Sequence, residues 1–184
     1  MNKDVTNNNQ LRSYVTKNMV TDFTNIPTTG FFVVGEFDQS AINDEGETVP
    51  CHGFIGTSKI MLDNIKLLSL AQPDGLVLYI DGTYKLLTNG WVLILLGGVT
   101  LKINNSGDCS HSFVPILECL TRSECEPAFA AIYKCFCKMA DEYSNIALKV
   151  SVIMQDHCQA SANALKNTLQ HLVFQVSLFF ISLV

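Results

Sequence analysis

From Leu76 the chain runs Leu-Val-Leu-Tyr-Ile without a polar break, and then meets Asp81, Gly82, Thr83, Tyr84 and Lys85 before Leu86 and Leu87. An unbroken apolar run of this length is the pattern of a strand buried on both faces. A carboxylate set into such a strand is costly unless a cation, a metal or several donors compensate it. Asp-Gly alone also reads as a hairpin turn. The β-favouring pattern resumes at once, however, and Thr88-Asn89-Gly90 makes a better turn just downstream. Asp81 is therefore expected inside a strand.

The pattern on either side predicts the remaining elements. Residues 1–30 lack a sustained apolar period and read as a poorly ordered lead, with a short helix around Leu11 to Val20. Residues 31–75 read as strand, loop and helix: Phe31 to Phe37 is a strand, the acidic Gly-containing segment to Pro50 a loop or hairpin tip, and Phe54-Ile55 a short strand. Thr57 or Ser58 then caps a helix whose Met61, Ile65 and Leu68 recur at helical spacing. Gln72-Pro73-Asp74-Gly75 turns the chain into the Asp81 strand. Trp91 to Val99 and Ser110 to Leu120 follow as strands, separated by turn residues from Asn104 to Asp108. Ser123 and Glu126 have capping-box spacing, with Pro127 suited to a first helical turn. Phe129, Ile132, Phe136 and Met139 line one face of that helix. Leu148 to Met154 is a further strand ending on Asp156, and Ala162, Leu165 and Leu169 mark the last helix.

This order, three antiparallel strands followed by helix, strand and helix, defines an α/β core over residues 76–170. A meander followed by a helical crossover makes the Asp156 strand parallel to one of the first three. Beside the first, it brings Asp81 and Asp156 together, and two close carboxylates repel unless they share a proton or a cation. Hard divalent ions with oxygen ligands are the natural occupants.

Composition narrows the function classes. The 184 residues are 48% apolar and 16% charged, enough for one folded domain. The net charge is −5, and Glu36, Asp38, Asp44, Glu45 and Glu47 fall in one segment without Lys or Arg. The remaining twelve acids match the twelve Lys and Arg, so no basic stripe marks a nucleic-acid surface. Seven scattered cysteines without a C-x-x-C pair fit core thiols in a reducing compartment better than a zinc site. The first twenty residues are polar and unlike a signal peptide, so a nuclear or cytoplasmic, non-secreted protein is expected. Residues 171–184 form an apolar tail, short of the ~20 residues of a membrane span. A fifth strand is the expected role for it, a tail anchor the lesser alternative.

Three strings carry a resemblance: DGTYKLLTNGWVLILLGG from Asp81, HSFVPILECLTRSECEPAFAAIYKCF from His111, and VSVIMQDHCQASANALKNTL from Val150. In this order they resemble the core of the Mutator-like element (MULE) transposases. Residues 81–85 match that family's D-[GA]-T-[YF]-K strand. The stretch around Glu124 is similar to its helix entry, and Asp156 with Ala160, Asn163 and Ala164 to the segment of its second acid. The resemblance implies a ribonuclease H-like mixed sheet and a DDE-type acid set. Asp81 and Asp156 would then be catalytic residues holding Mg²⁺ or Mn²⁺ for cleavage and joining of DNA.

The chain also departs from that pattern. The family's third acid is a Glu on a helix beyond the second Asp, whereas residues 172–184 hold no Cys, His or Glu. Glu118, Glu124, Glu126 and Glu142 all precede Asp156, and of these Glu118 and Glu124 are the ones to check for that place. The reading is thus a C-terminally incomplete, truncated or domesticated copy. Its partners are DNA, weakly, and an oligomeric mate, with no membrane. Lys85 is a weak candidate for a phosphate contact and is more often read as a solvated lysine. Glu124 reads as a first-turn acid favoured by the helix dipole, and His157 as a helix N-terminal residue. Competing classes are a non-catalytic interaction module with the same fold, and an unrelated α/β protein with structural acids.

Overall fold

The computed structural model describes residues 8–42, 46–83, 90–103, 105–155, 158–169 and 179–180. In chain order the elements are α1 (Asn8–Asn18), β1 (Phe31–Ile42), β2 (Thr48–Ser58), α2 (Lys59–Ala71), β3 (Leu76–Thr83), β4 (Val92–Ile103), β5 (Cys109–Thr121), α3 (Glu126–Glu142), β6 (Val150–Gln155), α4 (Gln159–Leu169) and β7 (Phe179–Phe180). The strands form one mixed sheet in the order β1-β2-β5-β4-β3-β6-β7, six of them substantial and β7 a pair of residues. β3, β4 and β5 are an antiparallel meander, whereas β6 joins β3 in parallel and β7 joins β6 in parallel.

The first hairpin is longer than the apolar pattern suggested. β1 and β2 pair from Phe31–Ser58 out to Ile42–Thr48. Their outer ends are mostly exposed and mix polar with isolated apolar residues, so ladder hydrogen bonds rather than burial extend them, and a search for apolar runs misses them. Residues 8–30 contribute α1, whose Leu11 and Val15 are buried, together with buried Phe23.

Alternation along the strands separates two faces. On one, Leu76, Leu78 and Ile80 of β3 share a core with Leu62, Ile65 and Leu68 of α2, Phe129, Ile132 and Phe136 of α3, and Leu165 and Leu169 of α4. Ser58 caps α2 as expected, accepting a hydrogen bond from the Met61 N–H at 3.3 Å. At the other end of α2, the Gln72 amide donates to the Val99 carbonyl (2.7 Å) and accepts from the Val77 N–H (2.6 Å). One side chain thereby ties the end of α2 to both β4 and β3. α3 departs from the expected capping box: Cys125 is its N-cap, without a side-chain capping bond, and Pro127 sits in the first turn.

The opposite face has a smaller cover. α1 buries Leu11 and Val15 against Val33, Phe54 and Trp91 near the β1–β2 end. Over β3, β4 and β5 the corresponding residues are half-buried, among them Val77, Tyr79, Asp81, Leu93, Leu95 and Val99. Phe113 and Leu101 are 40% and 57% exposed.

The cysteines are not all core thiols, contrary to expectation. Cys51 on β2 and Cys125 before α3, 74 residues apart in sequence, form a disulfide with their Cα atoms 6.6 Å apart. The overlay of α3 on β2 brings the two together. Cys109 is exposed, whereas Cys119 is buried and its thiol is pushed up by desolvation. No helix among the described residues is long and apolar enough to cross a membrane.

Candidate functional site

Asp81 lies within β3, paired with Leu95 of β4, while Gly82 pairs with Ile94. The strand reading of Asp81-Gly82 therefore holds over the turn reading. The partner of Leu95 on β5 is Glu118. Directly opposed residues point to the same side of a sheet, so Asp81, Leu95 and Glu118 form a row across the open face. Two strand spacings put the Cα atoms of the two acids about 10 Å apart, with the leucine between them. Burial alone pushes the Glu118 carboxyl above the ordinary glutamate range, with no cation among the described residues set against it.

Gly82 faces the other way. A Cβ built there would overlap the Glu124 carboxylate, so the missing side chain is what lets that group sit over β3. Glu124 is not the first-turn acid expected from sequence. It precedes the N-cap Cys125, in the connection between β5 and α3. Its carboxylate thus reaches the residue next to Asp81, but from the helix-covered side of the sheet.

β6 approaches Asp81 from the neighbouring position. Its pairing with β3 runs from Leu76–Val150 to Tyr79–Met154. In sequence that last pair stops two residues short of both Asp81 and Asp156. Asp156 lies outside the described residues, as do Lys85 and His157. The end of β6 is held by a buried polar chain. The Ser161 hydroxyl of α4 donates to Gln155 Oε1 at 2.5 Å and lies 2.9 Å from the Tyr133 hydroxyl of α3, whose ionisation burial disfavours.

Above the row of acids the open face is aromatic. Tyr79 and Phe113 meet edge to face with ring centroids 6.1 Å apart, across Gly97, the β4 partner of Tyr79. A Cβ on Gly97 would run into the Phe113 ring, so the glycine permits the contact. Sequence periodicity did not single out this pair, because its two members lie 34 positions apart and meet only through the meander.

At the other end of the face Trp91 is sandwiched. The Arg122 guanidinium stands 4.4 Å from its ring centroid and His52 packs edge-on at 5.7 Å. A cleft of about 630 Å³ opens between α1 and the β1–β2 hairpin, lined by Leu11, Val15, Glu36, Asp38, Pro50 and His52 among others. It lies over β1 and β2, remote from Asp81, and one of its acids, Asp38, is already paired with Arg12 at 2.8 Å.

The resemblance implies a divalent metal, and the described acids do not by themselves make a site for one. No group of three or more His, Cys, Asp or Glu among the described residues is placed to hold an ion. Glu118 is two strands from Asp81 across an apolar side chain, far outside the ~2 Å ligand distances of Mg²⁺, and Glu124 stands on the other face. Protein-family models, curated proteins and solved structures give no match to the chain.

Proposed function

We propose that the chain is a ribonuclease H-like domain of the MULE transposase type, related to metal-dependent DNA cleavage and strand transfer, that keeps the architecture without the cleavage chemistry. The observation that carries this reading is the parallel pairing of β6 with β3 up to Tyr79–Met154, beside an antiparallel β3-β4-β5 meander. That strand order is what the three resembling strings imply, and it directs the Asp81 strand and the strand leading into Asp156 the same way. The argument against cleavage is also local. Members of a catalytic set act as a unit, so an incomplete set loses orders of magnitude in rate. Here the acid that shares a face with Asp81 is held away from it by Leu95. A net charge of −5 without a basic stripe gives little of the electrostatic attraction on which DNA affinity rests.

The test has two readouts. Purified protein incubated with supercoiled plasmid and Mg²⁺ or Mn²⁺ is expected to leave it intact. Calorimetry should give weak Mn²⁺ binding that is reduced further in Asp81→Ala and in Asp156→Asn. Nicking that disappears in Asp156→Asn would overturn the loss of chemistry while keeping the family. Metal binding identical in wild type and Asp81→Ala would remove the basis for the family reading.

A further inference from the structure

We propose that Cys51 and Cys125 form a redox-responsive site, a disulfide that low-molecular-weight thiols of the glutathione class open and reclose, with Cys125 as the sulfur they attack. Its state sets how firmly the connection between β5 and α3 is tied to β2. Such a switch works whether or not the domain cleaves DNA.

The remaining cysteines mark this pair as the exception. The other five stay thiols, although Cys109 is exposed and Cys135 and Cys137 are half-buried. Proteins of oxidising compartments use disulfides as permanent staples, whereas a disulfide in a protein kept among reduced thiols is typically transient and redox-sensing. Burial also makes the neighbouring thiols poor competitors. It pushes the Cys119 thiol up, and those of Cys135 and Cys137 up to about 11, so little of the thiolate that exchange requires is present on them. Cys51 and Cys125 are within bonding reach, with Cα atoms 6.6 Å apart.

The fold lets the bond open without losing the seam that it closes. Beside the disulfide, the Arg122 N–H and the Thr121 hydroxyl both donate to the His52 carbonyl, at 3.2 and 3.3 Å, and Gly53 pairs with Thr121 in the ladder. Cys125 caps α3 without a side-chain hydrogen bond, so reduction removes no cap. Ala128, Phe129 and Ile132 keep the helix seated in the core. The reduced sulfurs therefore stay close enough to rejoin, while the connection that carries Glu124 over Gly82 loses its covalent tie to β2. Exposure decides the point of attack. Cys51 has no exposed surface and Cys125 is 7% exposed, so an incoming thiolate reaches the Cys125 sulfur. It forms a mixed disulfide there as the old S–S bond breaks, and the departing Cys51 sulfur takes a proton from solvent. A second thiolate attacks the small-molecule sulfur and releases Cys125, so two thiols are oxidised to their dimer for the one protein disulfide reduced.

Trp91 reports the change. It is the only tryptophan and packs between His52, next to Cys51, and Arg122, on the connection leading to Cys125. The full chain, in a Cys109→Ser background that removes the exposed thiol, is equilibrated in buffers ranging from oxidised to reduced glutathione. Samples are then quenched with acid, unfolded and labelled with a maleimide. Two additional labels per chain should appear as reduced glutathione rises and disappear on return to the oxidised form. Trp91 emission should shift to the red on reduction, with far-ultraviolet circular dichroism unchanged. In Cys51→Ser, peptide mass spectrometry should find glutathione added at Cys125 from its oxidised form, whereas in Cys125→Ser it should find none at Cys51. A bond that stays closed in fully reduced glutathione, or opens only with loss of circular dichroism, would be a structural staple and would overturn the switch. So would failure of either serine variant to fold, modification of Cys51, or an unmodified Cys125. Two labels that persist in oxidised glutathione would show a pair of core thiols instead, and Trp91 emission indifferent to redox state would show that the connection does not respond. Either result also overturns it.

Discussion

The two faces of the sheet use the same strands to opposite ends. On the helix-covered side, Leu78, Ile80, Ile94 and Leu96 are wholly buried beneath three helices. On the other, the intervening residues Tyr79, Asp81, Leu93 and Leu95 stay half-exposed, and the acids are found among them. The first face is a packing surface in which every position is fixed by volume. The second tolerates charge because water still reaches it. A residue's role in this fold is therefore set less by its strand than by the parity of its position along that strand.

The widest test of that contrast is a pair of truncations. Phe136→Ala in α3 removes a ring with no exposed surface from the packed side and should cost about 3–5 kcal/mol in denaturant unfolding. Leu95→Ala, on the opposite side of the same sheet, should cost about 1 kcal/mol, since much of that side chain's transfer free energy is never gained on folding. Equal losses would mean that the open face is as fully packed as the other.

The difference between the faces also explains which parts of the molecule were legible in the sequence. α2, α3 and α4 announce themselves because each must place an apolar stripe on the packed face, and their Met61, Ile65, Leu68, Phe129, Ile132 and Phe136 keep helical spacing. The strand around Asp81 was equally plain, since its apolar run is unbroken. By contrast, the outer ends of β1 and β2 are held by backbone pairing among mostly exposed residues of mixed polarity and leave no periodic trace. The cap of α3 lies two residues beyond the one that the capping-box spacing marks. Ser123 and Glu126 have the right spacing, but Cys125 occupies the cap, joined to Cys51 at a sequence distance that no local rule reaches. Glu118 was visible only as a glutamate in a strand. Its place in line with Asp81 depends on two registers and on a bulge in β5 opposite Leu96 and Gly97, which shifts the pairing by one residue.

A smaller effect tests how closely the two faces approach one another at Gly82. Adding a methyl there drives it into the Glu124 carboxylate, which arrives from the helix side. Because the obstacle is the end of a flexible side chain, Gly82→Ala should cost only about 1 kcal/mol. In a Glu124→Ala background the same substitution should become neutral or stabilising, as alanine suits a strand better than glycine. The coupling between the two changes, measured by a double-mutant cycle, should be about 1 kcal/mol. No coupling would place Glu124 elsewhere.

The smallest expected effect concerns charge on the open face. Burial raises the Glu118 carboxyl above its ordinary value, so the folded state holds this proton more tightly than the unfolded chain does. Linkage then fixes the sign. Below the unfolded value, near 4.5, Glu118 is protonated in both states and Glu118→Gln should leave stability unchanged. As pH rises through the interval between that value and the raised folded one, the unfolded chain ionises first and wild type loses stability that the glutamine variant keeps. Above the folded value the gap is constant, so the variant should unfold at a slightly higher denaturant concentration at pH 7 and at the same one at pH 4. Because the side chain is half-buried rather than enclosed, solvent screening holds the gain to a fraction of what a fully buried acid would give. Wild type more stable than Glu118→Gln at pH 7 would mean that a cation already compensates this carboxylate.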